Sequence, residues 1–234
     1  MDWISLIPVR AGSKGLANKN IRQISGKPLY EYTVDFALSA GTSCVYVTTD
    51  IPEILSVAPK TKVIINKRKK RLCKDDTPMS SVILDFLEGK EGIKIRNDQI
   101  IVLLQATSPL RKKLDLISAL NQFIGSQQSD LMMAVTEAEN NVLKYGYVAD
   151  GNFKHISKPH LCFENRQNLP KLYRPTGAFY IFRAGWYRKN KTLATPYTGA
   201  YELKNNQSLD IDTLEDFKKF EAIIKNKGHY SENC

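Results

Sequence analysis

The sequence lacks the features that would assign it at once to a membrane, secreted or zinc-binding class. It has no apolar run near the roughly 20 residues of a membrane span. Its first residues, MDWISLIPVR, show no basic stretch followed by an apolar stretch and a small-residue cleavage site, so we expect no signal peptide and no membrane partner. Since its few cysteines form no CxxC pair, the pattern favours free thiols and a cytoplasmic location. The cysteines are Cys44, Cys73, Cys162 and Cys234.

Two common phosphate-binding motifs are also missing. The chain contains neither the Walker A pattern GxxxxGK[ST] nor the dinucleotide pattern GxGxxG. In their place, residues 5–20 read SLIPVRAGSKGLANKN, an apolar strand that breaks into a loop of glycines and basic residues. Glycines let backbone N–H groups approach an anion, and Arg10, Lys14 and Lys19 add positive charge. We interpret this loop as an anion site.

Acidic residues are in deficit, and the formal net charge is +10 at pH 7. Such a balance is typical of nucleic-acid binders and of enzymes that act on polyanionic small molecules. The densest basic run, residues 67–71 (KRKKR), is compatible with a solvated loop, a nucleic-acid surface or the rim of a phosphate site. Because no helix-turn-helix, zinc-finger or RNP signature accompanies the run, we expect no nucleic-acid partner.

Short apolar runs alternate with helical stretches along most of the chain. The runs are continuous and rich in β-branched residues, as in strands that are covered on both faces. We therefore predict a single domain over residues 1–234, with a mostly parallel, Rossmann-like α/β sheet and helices on both faces. The predicted strands are residues 4–9, 44–48, 62–65, 99–104 and 131–135, with a return of regular structure at residues 178–182, and the predicted helices are residues 28–38, 52–57, 78–87 and 114–124.

The alternation fails over residues 138–175, which are polar, aromatic and irregular. Within them, YGYVADGNFKHI predicts a hairpin with Asp150-Gly151 as a type I′ turn. A loop of this length inside a compact domain is usually a lid, an arm or an interface. Nearer the C-terminus, Thr213 and Asp216 have the spacing of a helix-capping box.

The N-terminal loop resembles the signature of the CMP-sugar synthetases. These are cytidylyltransferases that activate sialic acids and related nine-carbon 2-keto acids on a nucleotide-diphospho-sugar transferase type of sheet. The resemblance implies that the signature residues surround the nucleotide triphosphate and its ribose. In this chain those residues are Arg10, Ser13, Lys14, Gly15, Lys19 and Asn20.

Residues 103–111, LLQATSPLR, are similar to the family's LLQPTSPLR, with Ala106 in place of proline. Gln105, Thr107 and Ser108 offer amide and hydroxyl hydrogen bonds that a pyrimidine, a ribose or the acceptor sugar can use. The alternative is a turn whose Ser-Pro begins a helix. A looser correspondence over residues 68–81 assigns Arg68 and Ser80 to the nucleotide.

Residues 166–182, RQNLPKLYRPTGAFYIF, are similar to the family's RQxLPxxYRPNGAxYI, with Thr176 in place of asparagine. The resemblance implies that Arg166 and Gln167 contact the acceptor sugar, and arginine suits a bidentate grip on its carboxylate. The RQxLP form is closer to the sialic and legionaminic branch than to the Kdo branch.

Residues 208–213, SLDIDT, match the family's metal element IDID(T/S) through Asp210 and Asp212. On a strand, residues two apart point to the same side, so both carboxylates could face one Mg²⁺. Two surface aspartates before a helix cap are the alternative.

We therefore expect a cytidylyltransferase that transfers CMP from CTP to the anomeric hydroxyl of a sialic-acid-like acid for surface glycan synthesis. Arg10 and Lys14 would hold the phosphates, and Asp210 would hold Mg²⁺ and is one candidate for a general base that the sequence does not name. The resemblance implies a homodimer in which residues 138–175 reach the partner's sugar pocket. The rivals are a CMP-Kdo or sugar-1-phosphate nucleotidyltransferase and a basic nucleic-acid-binding module.

Overall fold

The computed structural model describes residues 2–12, 15–58, 60–126 and 128–231. Within them the chain forms a seven-stranded sheet, two small two-stranded sheets and six α-helices. The strands are β1 (Trp3–Val9), β2 (Gln23–Ile24), β3 (Lys27–Pro28), β4 (Cys44–Thr49), β5 (Val63–Lys67), β6 (Ile100–Leu103), β7 (Leu131–Ala138), β8 (Gly146–Ala149), β9 (Asn152–His155), β10 (Leu172–Arg183) and β11 (Thr198–Glu202). The helices are α1 (Leu29–Ser39), α2 (Pro52–Leu55), α3 (Met79–Glu88), α4 (Lys113–Gly125), α5 (Ala184–Asn190) and α6 (Leu214–Ser231).

The seven-stranded sheet has the order β11-β7-β10-β6-β1-β4-β5. The pairs β1–β4, β1–β6, β4–β5 and β7–β11 are parallel, and β10 is antiparallel to both of its neighbours. The predicted mostly parallel sheet is therefore confirmed.

Helices cover both faces of this sheet because successive side chains of a strand point to opposite sides. From β1, Ile7 and Val9 pack in a cluster with α1 and α4, whereas Ile4 and Leu6 pack with α3 and α5 on the other face. The continuous apolar runs in the sequence reflect this double burial.

Helix α6 belongs to a third apolar cluster, away from the two sheet faces. Its Phe217 and Phe220 are buried against Leu16 and Ile24, which follow the N-terminal loop. This packing carries the C-terminal acidic segment to the N-terminal loop. The helix begins with the predicted capping box, since Asp216 Oδ2 accepts from the backbone N–H and hydroxyl of Thr213.

The segment predicted to be an arm contains the predicted hairpin. Strands β8 and β9 pair with each other outside the large sheet, and Asp150 and Gly151 have φ values of 51° and 71°. Two positive φ values at the central residues are the geometry of a type I′ turn, as predicted. Strand β10 begins at residue 172, inside the predicted arm.

The predicted strands and helices all occur, with ends displaced by a few residues. Four elements were missed: the two-residue strands β2 and β3, and α5 and β11, which both lie between residues 183 and 207. The strand geometry used above to place Asp210 and Asp212 on one side was wrong, because residues 208–213 form no strand. The backbone of Ile211 donates a single bond to the carbonyl of Thr107 at 2.8 Å, so this segment runs beside a loop and not along a strand. No helix in the described part of the chain is long and apolar enough to cross a bilayer.

Candidate active site

A cleft of about 460 Å³ opens at the carboxyl ends of β1, β5 and β6. Ligands of open α/β sheets bind at this edge, because the loops that follow neighbouring strands meet there. The cleft is lined by residues from both ends of the chain, including Arg10, Gly15, Lys19, Asn20, Arg68, Gln105, Thr107 and Asp212. The structure therefore brings most of the predicted nucleotide-binding residues together.

The N-terminal loop is held by hydrogen bonds from its own backbone. The N–H of Ala11 donates to Asp50 Oδ1 at 2.9 Å, and Asn20 Nδ2 donates to the carbonyl of Arg10 at 2.9 Å. The guanidinium of Arg10 forms an ion pair with Asp75 at 2.6 Å. Ser13 and Lys14, two of the predicted phosphate ligands, lie outside the described residues.

The loop also contacts the C-terminal acidic segment. Lys19 Nζ lies 2.9 Å from Asp212 Oδ1, with 8% of the Lys19 side chain and 71% of the Asp212 side chain exposed. A Cβ at Gly15 would lie 2.4 Å from the Asp212 carbonyl oxygen, so only glycine fits there without a shift. The basic loop and Asp212 thus share one cleft.

Two residues that line the cleft each have one buried polar atom with no hydrogen-bond partner among the described residues. These atoms are Asn20 Oδ1 and Arg68 Nε. Burial of an unpaired polar atom costs free energy, so a ligand that pairs with these atoms is favoured. Burial also lowers the pKa of Arg68, whose Nη2 donates to the Thr48 carbonyl at 2.8 Å. Arg68 belongs to the basic run over residues 67–71, in which Lys69 also forms an ion pair with Asp85 at 2.5 Å. Two of the five basic residues of this run therefore contact other groups of the protein.

The loop after β6 is fixed by Arg111, which lies in the LLQATSPLR motif and received no role from the sequence. Its guanidinium donates to the carbonyl of Ala178 at 2.5 Å, to Thr33 Oγ1 at 3.0 Å and to the carbonyl of Gln105. Burial lowers the pKa of Arg111 to about 9, and the charge of Asp210 opposes that shift. Arg111 therefore remains charged at pH 7 and positions the backbone of Gln105.

Gly177 allows a close approach to the side chains of this loop. A Cβ at Gly177 would lie 2.2 Å from Gln105 Oε1 and 2.7 Å from Ser108 Oγ. Gly177, in the YRPTG sequence, therefore leaves room for Gln105 and Ser108, which the sequence analysis assigned to the nucleotide. Ser80, by contrast, lies in the first turn of α3, where its carbonyl accepts a 2.8 Å bond from the Tyr187 hydroxyl, and the neighbouring Met79 lines the cleft.

Asp210 is exposed, like Asp212, whereas Ile211 between them is buried. Ser108 Oγ donates to Asp210 Oδ1 at 3.5 Å. Asp210 also lines a second cleft, of about 690 Å³, together with Arg174 and Lys219. The described residues contain no group of three or more His, Cys, Asp or Glu that could hold a metal alone. Two exposed carboxylates nevertheless fit Mg²⁺, which is commonly held by one or two carboxylates plus substrate phosphates.

The predicted sugar-binding residues Arg166 and Gln167 do not line either of these two clefts. They line a third cleft of about 450 Å³ with Glu137 and Lys171. Within one chain, the structure therefore does not bring them to the cleft that holds Arg10 and Lys19.

A cationic cleft at the carboxyl ends of a sheet covered on both faces is the site of a nucleotide-binding α/β protein. The family assignment is more specific. The family model described as Cytidylyltransferase matches residues 4–232, so the chain belongs to the cytidylyltransferase family.

Curated relatives support the same assignment. The chain is 32% identical over 220 residues to the N-acylneuraminate cytidylyltransferase of Streptococcus agalactiae, a match that covers 93% of this chain and 52% of that protein. It is 32% identical over 230 residues to the CMP-N,N'-diacetyllegionaminic acid synthase of Campylobacter jejuni, covering 97% of both. It is 30% identical over 233 residues to the pseudaminic acid cytidylyltransferase of the same species, covering 99% of both. The chain thus spans about half the length of the streptococcal relative.

Solved structures confirm the fold. The CMP:2-keto-3-deoxy-manno-octonic acid synthetase complexed with CTP superimposes with a TM-score of 0.67 at 17% identity, covering 97% of this chain and 100% of that chain. The 2-C-methyl-D-erythritol 4-phosphate cytidylyltransferase of Francisella tularensis gives 0.64 at 14% identity, covering 94% and 100%.

Proposed function

We propose that this protein transfers CMP from CTP to the anomeric hydroxyl of a sialic-acid-like nine-carbon 2-keto acid and releases pyrophosphate. The observation that carries the proposal is the meeting of the N-terminal loop with the acidic segment, at the 2.9 Å contact of Lys19 with Asp212. Membership of the cytidylyltransferase family and the names of the three relatives support the same reaction.

The chemistry requires one bond to form and one to break. The anomeric oxygen attacks the α-phosphorus of CTP, the bond to the β-phosphate oxygen breaks, and pyrophosphate carries away the negative charge. Arg10, Lys14 and Lys19 are proposed to hold the phosphates and to stabilise that charge. The hydroxyl proton passes to a base, for which Asp210 is the candidate.

The nucleoside is proposed to lie between the buried polar groups and the loop after β6. Asn20 Oδ1 and Arg68 Nε are buried without partners in the described part of the chain, which supports their use by a ribose or a pyrimidine. Gln105, Thr107 and Ser108 supply further donors and acceptors, with Ser80 nearby in α3. Arg111 does not touch the ligand in this proposal; it fixes the position of Gln105.

Asp210 and Asp212 are proposed to hold Mg²⁺. When bound there, the ion would neutralise charge on the phosphate oxygens and polarise the phosphorus. Lys19 also contacts Asp212, so this lysine would orient the Asp212 carboxylate while that carboxylate binds the ion.

The acceptor is proposed to bind beside Asp210, with its carboxylate held by arginine. In one chain Arg166 and Gln167 lie in a separate cleft, so their assignment to the sugar needs a second subunit. The segment over residues 138–175 presents several apolar side chains that are more than half exposed, and burial of such a surface favours association. They are Tyr145, Tyr147, Val148, Phe153, Ile156 and Phe163.

The proposed homodimer is tested by light scattering after size exclusion. Phe163→Asp should shift the protein toward a monomer, whereas Leu114→Asp, which changes an equally exposed residue on α4, should leave the mass unchanged. A monomeric wild type with full activity would contradict the dimer.

Complementation tests whether Arg166 acts across the interface. Arg166→Ala and Asp210→Ala dimers should each be inactive, whereas a mixture allowed to exchange subunits should regain about a quarter of wild-type activity, because half of the symmetric dimers would be hybrids with one intact site. Failure to regain activity in demonstrated hybrids would place both residues in the same subunit's site.

The reaction is tested by supplying CTP and Mg²⁺ with N-acetylneuraminate, legionaminate, pseudaminate, Kdo or a sugar 1-phosphate in parallel. Pyrophosphate release is the readout, with reactions lacking acceptor and reactions containing ATP or UTP as controls. Turnover with a nine-carbon acid supports the proposal. Turnover with Kdo alone, or with a sugar 1-phosphate alone, would support a rival. The described cysteines are free thiols, and we propose that the enzyme works in the cytoplasm, where CTP is available.

A further inference from the structure

One cation of the cleft, the Arg10 guanidinium, is already paired with other groups of the protein. Arg10 Nη2 lies 2.6 Å from Asp75 Oδ1, and about a third of each side chain is exposed. Arg10 Nη1 donates to the carbonyl oxygens of Ala11 and Gly12 at 3.2 and 2.9 Å. The guanidinium is therefore turned onto its own loop and onto Asp75, although Arg10 and Asp75 both line the cleft.

Two other polar groups of the cleft differ from Arg10 in their hydrogen bonding. Arg68 Nε and Asn20 Oδ1 are buried and have no partner among the residues that the structure describes, so a ligand need not displace a described group from them. A phosphate that is to contact Arg10 must instead replace a carboxylate, which carries the same sign of charge and a similar arrangement of oxygens.

We propose that Asp75 is an internal anion that takes the place of a nucleotide phosphate on Arg10 and must be displaced when the substrate binds. Asp75 thereby acts as a positioning and selectivity residue: it holds Arg10 at the cleft in the absence of ligand and favours polyphosphates, whose charge competes with it, over ligands with little charge. This inference rests on the proposed function only in taking the cleft to be a polyphosphate site.

The turn that carries Asp75 provides a matched control. The backbone N–H of Thr77 donates to the carbonyl of Lys74 at 3.2 Å, which places Asp75 and Asp76 in the middle of one turn. Asp75 lines the cleft, whereas Asp76 is exposed and is not among the described residues that line it. Asp75→Asn and Asp76→Asn remove the same charge from adjacent positions, so a difference between them reports the contacts that Asp75 makes, the ion pair with Arg10 among them.

The test is isothermal titration of the full-length wild type, Asp75→Asn, Asp75→Glu and Asp76→Asn with inorganic pyrophosphate, CTP and cytidine. We expect Asp75→Asn to bind pyrophosphate and CTP roughly 3- to 10-fold more tightly than wild type, since a partly exposed ion pair no longer has to be broken. Cytidine should bind all four proteins equally. Asp75→Glu, which keeps the charge, should return toward wild type, and the gain should shrink at high salt.

Pyrophosphate separates this inference from the proposed function. If wild type binds pyrophosphate but not CTP, the proposed function fails, and the comparison of Asp75→Asn with Asp76→Asn still decides the role of Asp75. Equal or weaker pyrophosphate binding by Asp75→Asn relative to Asp76→Asn overturns the inference, as does the absence of pyrophosphate binding in every variant. Circular dichroism and a thermal melt confirm that each variant is folded.

Discussion

The Lys19 ammonium and the Asp212 carboxylate lie 2.9 Å apart, although 193 residues separate them in the chain. The contact exists because α6 packs Phe217 and Phe220 against Leu16 and Ile24, which fixes both partners on one side of the sheet. A basic loop that follows the first strand and an acidic segment that precedes the last helix therefore form one site.

Gly15 is the point at which these two segments pack most closely. Gly15→Ala would place a methyl group 2.4 Å from the Asp212 carbonyl oxygen, so the acidic segment must move. We expect a loss of about 1–3 kcal/mol in the free energy of unfolding, as is usual for overpacking, and a larger loss of kcat/KM than of stability. Denaturant melts and steady-state kinetics measure both.

Gly125→Ala is the control for this substitution, because an added Cβ at Gly125 meets nothing within 4 Å. It should leave stability and kinetics close to wild type. If Gly15→Ala behaves like Gly125→Ala, the close contact with Asp212 has no functional weight.

Asp210 is expected to matter for turnover and little for folding. Its carboxylate is exposed and accepts from Ser108 Oγ at 3.5 Å, so Asp210→Ala removes no packed group. We expect kcat to fall roughly 10²- to 10³-fold or more, as when a group that stabilises transition-state charge is removed. Glu215→Ala, an exposed acid at the start of α6, is the control. Near-normal turnover of Asp210→Ala in saturating Mg²⁺ would contradict the metal assignment.

Most of the sheet could be predicted from the sequence because strands buried on both faces leave an unbroken apolar record, as in residues 4–9 and 99–104. The elements between residues 183 and 207 leave no such record. Helix α5 spans seven residues and β11 is partly exposed along its length, so neither has the periodicity that indicates a helix or a buried strand.

The residues of the site that belong to local motifs could be predicted from the sequence. Contacts between side chains that are distant in the sequence could not. The loop residues Arg10, Lys19 and Asn20 were identified from their motif, and the structure brings them to one cleft. The pairing of Arg10 with Asp75 depends on how the turn after β5 folds back, which no spacing in the sequence specifies. The separate position of Arg166 depends on the path of the arm.

Arg111 is expected to be the most sensitive arginine for stability. Its guanidinium supplies the carbonyls of Ala178 and Gln105 and the hydroxyl of Thr33. Arg111→Met removes a donor from three acceptors, of which the Gln105 carbonyl still accepts from the Ser108 N–H at 3.2 Å. A buried acceptor that loses its partner costs roughly 1–3 kcal/mol, partly offset because a buried charge is also removed. We expect the free energy of unfolding to fall by about 3 kcal/mol, measured by urea unfolding.

Arg96→Met is the control for Arg111, because Arg96 is exposed and pairs with Asp98 at the surface. It should change stability by well under about 1 kcal/mol, as exposed ion pairs do. A comparable loss in the two variants would show that the Arg111 bonds are not what holds the loop after β6.

The capping box of α6 makes part of the stability depend on pH. Hydrogen bonds from the Thr213 hydroxyl and backbone N–H lower the pKa of Asp216 below its ordinary value of 3.8. A carboxyl whose pKa is lower in the folded state stabilises the fold above the unfolded value, and this contribution is lost as the pH falls through the folded value. Wild type should therefore lose more stability than Asp216→Asn between pH 5 and pH 2.5, measured by urea unfolding at several pH values. Glu215→Gln, which removes a neighbouring acid without a bond to Thr213, should retain the wild-type slope. Parallel curves for wild type and Asp216→Asn would mean that the cap does not couple to this proton, and that α6 is held against the N-terminal loop by its apolar face alone.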